Sequence, residues 1–106
     1  MDSKFNTEDY LAFMEKPKKL TKPEKFKYLC ETMSELYARK NADYGDSFGI
    51  SIQKYGPIAG LTRISDKFNR LENLIVHGEQ KITEESVSDT LIDLASYSLM
   101  LLLEME

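Results

Sequence analysis

Apolar residues return at intervals of three and four along three separate stretches of this chain, and nowhere do they alternate with polar ones for long enough to make a strand. The first stretch, TKPEKFKYLCETMSELYARK, carries Phe26, Leu29, Cys30, Met33, Leu36 and Tyr37 on one face, behind Thr21 and Pro23, which suit a helix start. The second opens at Pro57 and runs to His77, with Leu61, Ile64, Phe68, Leu71 and Ile75 as its apolar face and Gly78 as its stop. The third, with Thr83 as its cap, presents Val87, Leu91, Leu94, Ser98 and Leu101. Ahead of them Thr7 predicts a short helix over residues 8–15, ended at Pro17. Between the first two, NADYGDSFGISIQKYG has three glycines and no long period, which predicts a structured loop holding at most one short turn of helix. The expected fold is all-α, a small bundle of three long helices plus a short N-terminal helix.

A chain of 106 residues supports one core and one domain. The expected division is an N-terminal arm over residues 1–20 and a single helical domain over 21–106. In the last helix Leu, Ile, Val and Ala spread over about 200° of the circumference, twice the stripe of a one-sided surface helix. Three or four helices cannot cover so wide an arc, so a homodimer or higher homo-oligomer is expected, with Leu99, Met100 and Leu103 near the second interface. Cover by the N-terminal arm is the alternative.

Net charge is -4, which sets the chain against duplex nucleic acid and anionic membranes. The longest strongly apolar run, Leu99 to Leu103, is far too short to span a bilayer, and the first ten residues lack the apolar core of a signal peptide. One cysteine, Cys30, rules out an intramolecular disulfide and fits a reducing cytoplasm, with the thiol expected among buried apolar neighbours.

Two carboxylates, Asp89 and Asp93, interrupt the apolar run of the last helix four residues apart, and Glu85 and Ser96 fall on the same stripe. Carboxylates at that spacing can hold one Mg²⁺ against a phosphate oxygen; the same spacing is common on solvated helix faces. On the second helix Arg63, Asp66, Lys67 and Arg70 project together. Their cations suit a phosphate chain, Arg through its planar fork and Lys as a point charge, and Asp66 adds a further carboxylate. If the two helices pack antiparallel, a basic stripe faces an acidic one, and interhelical salt bridges worth about 0 to 1 kcal/mol each are the competing explanation. In KNADYGDSFG, Gly45 and Gly49 allow close backbone approach while Tyr44 and Phe48 offer rings on which a base could stack. The chain has no Gly-x-Ser-x-Gly or Cys/His arrangement, which argues against acyl transfer.

In combination, KNADYGDSF (Lys40 to Phe48), RISDKFNRL (Arg63 to Leu71) and SDTLIDLASY (Ser88 to Tyr97) resemble the nucleotide-modification-associated domain family, type one, small proteins frequent in phages and prophages. The similarity spans about residues 20 to 106. It implies a nucleotide ligand, bound by Lys40, Asp43, Tyr44, Gly45, Phe48, Arg63, Lys67, Arg70 and Tyr97. More distantly the chain is similar to the all-α nucleoside triphosphate pyrophosphohydrolases of the MazG and dimeric dUTPase type, where paired acidic motifs hold Mg²⁺ against a triphosphate. That likeness implies Asp89, Asp93 and Asp66 as catalytic carboxylates and Asp89, Asp93 and Glu85 as metal ligands. The glutamate-rich first motif of those enzymes has no counterpart here. Two functions therefore share one groove: Mg²⁺-dependent nucleotide (pyro)phosphohydrolysis, or binding of an unaltered nucleotide, for example sequestration of a host signalling nucleotide. A structural helical adaptor is the third.

Overall fold

A computed structural model describes residues 19–78 and 84–106, with side chains of the last helix described from Val87 onward. The expected helix at 8–15, the Thr83 cap and the Glu85 side chain lie outside the described residues. Those residues form four helices and no strand: α1 (Lys22–Tyr44), α2 (Ser47–Tyr55), α3 (Ile58–Leu71) and α4 (Glu84–Met105), with a π-helical turn, Glu72–Val76, continuing α3. The chain is all-α, as its periodicity requires.

Local chemistry sets each boundary. Thr21 opens α1 with a reciprocal capping box: the Glu24 amide donates to Thr21 Oγ1 at 3.3 Å while the Thr21 amide donates to Glu24 Oε1 at 2.8 Å. Gly45 closes the same helix in the left-handed conformation, φ 60°, and the Asp46 amide donates back to the Asn41 carbonyl at 3.1 Å, a Schellman closure. Asp46 is left-handed too, at φ 57°, a conformation Asp tolerates better than most residues. Two successive left-handed residues break the helical path and redirect the chain, and Ser47 starts α2.

The segment expected as a loop is therefore mostly helical. Asn41–Tyr44 extends α1, and Ser47–Tyr55 is a nine-residue helix of its own. The glycines misdirected the expectation: Gly45 and Gly56 are helix ends with positive φ, whereas Gly49 lies inside α2.

α3 and α4 pair closely and antiparallel, with Gly60 near Leu101 at one end and Arg70 beside Thr90 further along. Gly60 is buried where three helices meet: a Cβ there would stand 2.8 Å from a Leu101 methyl and 3.3 Å from an Ile52 methyl. Among the described residues the buried apolar side chains are few, namely Ile52, Leu71, Leu74 and Tyr97, with Thr90 beside them; α1 buries none of its residues.

The expected core faces are only half right. On α3 the buried line runs through Gly60, Leu71 and, in the π turn, Leu74, whereas Leu61, Phe68 and Ile75 are 51%, 57% and 59% exposed. On α4 Thr90 and Tyr97 are the buried positions, with Leu94 and Leu101 half-buried beside them, and Leu91 and Ser98 point outward. Both helices carry apolar residues on two arcs, and periodicity cannot tell the arc that meets the same chain from the arc that does not. Cys30 also departs from expectation: its thiol is exposed, on an apolar groove between α1 and α4.

Candidate functional site

One cleft collects side chains from all four helices. α1 supplies Lys40, Asn41 and Tyr44; α2 supplies Ser47, Phe48 and Ser51; α3 supplies Arg63; α4 supplies Asp93, Ser96 and Tyr97. Met33, Leu36 and Met100 make its apolar wall, and its volume is about 110 Å³. That is small against the roughly 300–1,000 Å³ of sites that enclose drug-sized ligands. It has room for one ring or one phosphate, and the remainder of a larger ligand would extend from the mouth.

The three quoted motifs meet here. Lys40, Tyr44 and Phe48 come from the first, Arg63 from the second, Asp93 and Tyr97 from the third. Their convergence follows from the helix boundaries: the Schellman turn at Gly45 ends α1 and redirects the chain into α2, which packs on α3 and α4, and the antiparallel pair of α3 and α4 sets Arg63 near Asp93 and Tyr97.

Tyr97 is the pivot. It is 3% exposed, and its ring lies 5.9 Å from that of Phe48, centroid to centroid, tilted by 33°. Burial raises its phenol pKa above the ordinary 10.0; the nearby Arg63 guanidinium lowers it again in part, and the Asp93 carboxylate adds to the rise. Because the folded-state pKa lies above the unfolded one, the associated stability is intact below pH 10.0 and is lost as the pH climbs through the folded value. Urea unfolding across alkaline pH should show that loss in the wild type and a smaller one in Tyr97→Phe; identical slopes would contradict it. Tyr44, by contrast, is 46% exposed and lines the cleft.

The basic and acidic stripes do face each other, and they are partly consumed by each other. Lys67 Nζ lies 3.0 Å from Asp93 Oδ2, with 21% and 13% of the two side chains exposed. One turn along, Arg70 Nε donates to Thr90 Oγ1 at 3.1 Å. These two rungs fix the register of α3 against α4 and hold the Asp93 carboxylate on the cleft wall. Lys67 and Arg70 thus serve the helix pair, and neither lies on the cleft wall.

Asp43, Gly45, Asp66 and Asp89 also lie off that wall. Gly45 acts through the backbone turn that brings Phe48 in. Among the described residues no three His, Cys, Asp or Glu side chains converge as metal ligands, and the Asp93 oxygen nearest α3 already holds an ammonium. Asp89, Asp93 and Asp66 form no such group among the described residues, and Glu85, the third expected ligand, lies outside them. Ser47, Ser51 and Asn41 were not anticipated. Ser47 and Ser51 are one turn apart on α2, a relation that is visible only once that segment is recognised as a helix.

None of the described helices is long and apolar enough to cross a membrane. A family model described as nucleotide modification associated domain 1 matches residues 40–105. No curated protein matches the chain, and no solved structure does.

Proposed function

The chain belongs to the nucleotide modification associated domain 1 family, matched over more than half its length, and on that premise we propose that the four-helix cleft binds a nucleotide, with Arg63 and Lys40 on the phosphate and the aromatic wall on the base. One observation carries the reading: every polar and aromatic cleft residue except Tyr37 falls within the matched span of 40–105, and all three motifs of that span contribute. The chemistry agrees. Guanidinium and ammonium groups suit phosphate oxygens, with Arg offering a bidentate fork. Hydroxyls of Ser47, Ser51 and Ser96 can donate or accept on a sugar or base edge. Tyr44, at the cleft and about half exposed, can stack on a base.

Hydrolysis is the second reading, favoured by the position of Asp93, a carboxylate on the wall of a cation-bearing cleft. Binding accounts for more of the geometry, since the cleft gathers cations, serine hydroxyls and aromatic rings around one carboxylate, Asp93. Incubation of the protein with a mixed nucleotide pool and Mg²⁺, followed by mass spectrometry of soluble and protein-bound fractions, separates the two. An intact nucleotide released only on denaturation is the expected outcome. A shortened product formed by the wild type and not by Asp93→Asn would replace binding with hydrolysis as the function of the cleft.

A further inference from the structure

α4 has a second apolar face, turned away from the cleft. Leu91, Ala95, Ser98, Leu102 and Met105 recur at steps of four, three, four and three, the spacing of a coiled-coil seam, and all five are exposed. Leu91, Leu102 and Met105 are 48%, 53% and 63% exposed. The acidic residues Asp89, Asp93 and Glu104 fall on the other side of the helix, so the seam carries no charge. At the matching edge of α3, Leu61, Phe68 and Ile75 repeat every seventh residue and are exposed as well.

We propose that this seam is the interface with a second copy of the chain, α4 packing antiparallel on α4 about a two-fold axis that passes between Ala95 and Ser98. The order of sizes commits the partner. Leu91, Ala95, Ser98 and Leu102 read large, small, small, large at spacings of four, three and four, and so give the same pattern in either direction. An antiparallel pairing sets Leu91 on Leu102 of the partner subunit and Ala95 on Ser98 of the partner subunit, the self-complementary contact a two-fold axis demands. The small residues at the centre let the two helices approach closely. The one polar group of the seam is already satisfied, since the Ser98 hydroxyl donates to the Leu94 carbonyl at 2.8 Å and can be buried without losing a partner.

The area fits. Taking about 90 Å² for each half-exposed large side chain, the six named on α3 and α4 offer on the order of 540 Å² of apolar surface. A stable interface takes about 800 Å² from each partner, roughly two thirds of it apolar between identical subunits. Among the described residues only four apolar side chains are buried, a small core for a free-standing domain.

Sedimentation equilibrium of the full chain at micromolar concentration tests the interface: the mass should be twice the 12.2 kDa of one chain. Leu102→Glu should weaken association by about 30-fold or more, the scale of an interface hot spot. Cysteine pairing covers the case in which that variant fails to fold. In a Cys30→Ser background, Ala95→Cys and Ser98→Cys proteins mixed and oxidised should form a cross-linked dimer in greater yield than either alone. A monomeric wild type, or cross-linking no greater in the mixture than in the single variants, would overturn the proposal.

Discussion

Tyr97→Ala should cost about 3–5 kcal/mol of unfolding free energy, the range for a large buried aromatic cut back to Ala. For a domain whose whole stability lies near 5–15 kcal/mol, that is a large share. The reason is the economy of the core: Tyr97 is one of four buried apolar side chains among the described residues, and it supports Phe48 at 5.9 Å, a contact between α2 and α4. Removing the ring leaves a cavity beneath the cleft and frees the wall that Phe48 makes. Tyr97→Phe retains the packing and loses only the hydroxyl beside Arg63 and Asp93, so it should stay within about 1.5 kcal/mol of the wild type. Urea unfolding of both variants measures the difference, and a Tyr97→Ala protein as stable as the Phe variant would remove Tyr97 from its place at the centre of the core.

Arg63→Ala should weaken nucleotide binding by about 1.5–3 kcal/mol, roughly ten- to a hundredfold in Kd, the value of a hydrogen bond to a charged group. The fold should survive, because Arg63 is exposed and the rungs that hold α3 to α4 are made by Lys67 with Asp93 and Arg70 with Thr90. Arg63→Lys should recover part of the loss: the charge returns, and the bidentate fork does not. Equal affinities for wild type and Arg63→Ala would move the phosphate elsewhere.

Three of the four helices that carry the site, α1, α3 and α4, were legible in the residues from their apolar period, and two of them have a marked start. Thr21 with Glu24 specifies a capping box and Pro57 a helix start, and the structure uses both boundaries. That the three motifs belong together came from the family resemblance, and the cleft draws Lys40, Tyr44, Phe48, Arg63, Asp93 and Tyr97 from them. What the pattern could not give was the division of labour among the charges. Lys67 and Arg63 are four residues apart on the same face, yet one is paired with Asp93 and the other lies on the cleft wall. The helix at Ser47–Tyr55 was hidden for a different reason: glycine marks both an irregular loop and a sharp helix end, and only the backbone at Gly45 and Gly56 distinguishes them. Two-sided apolar helices conceal their inward face in the same way, so Leu91 and Ser98 looked like core and Thr90 did not.

The cleft's assignment rests most directly on calorimetric titration of the full chain with a panel of linear and cyclic nucleotides, with nucleosides and inorganic phosphate as controls. At least one nucleotide should bind at a single site per chain, more tightly than its nucleoside or free phosphate, with affinity reduced in Arg63→Ala. Heats indistinguishable from dilution across the whole panel would contradict a nucleotide-binding cleft.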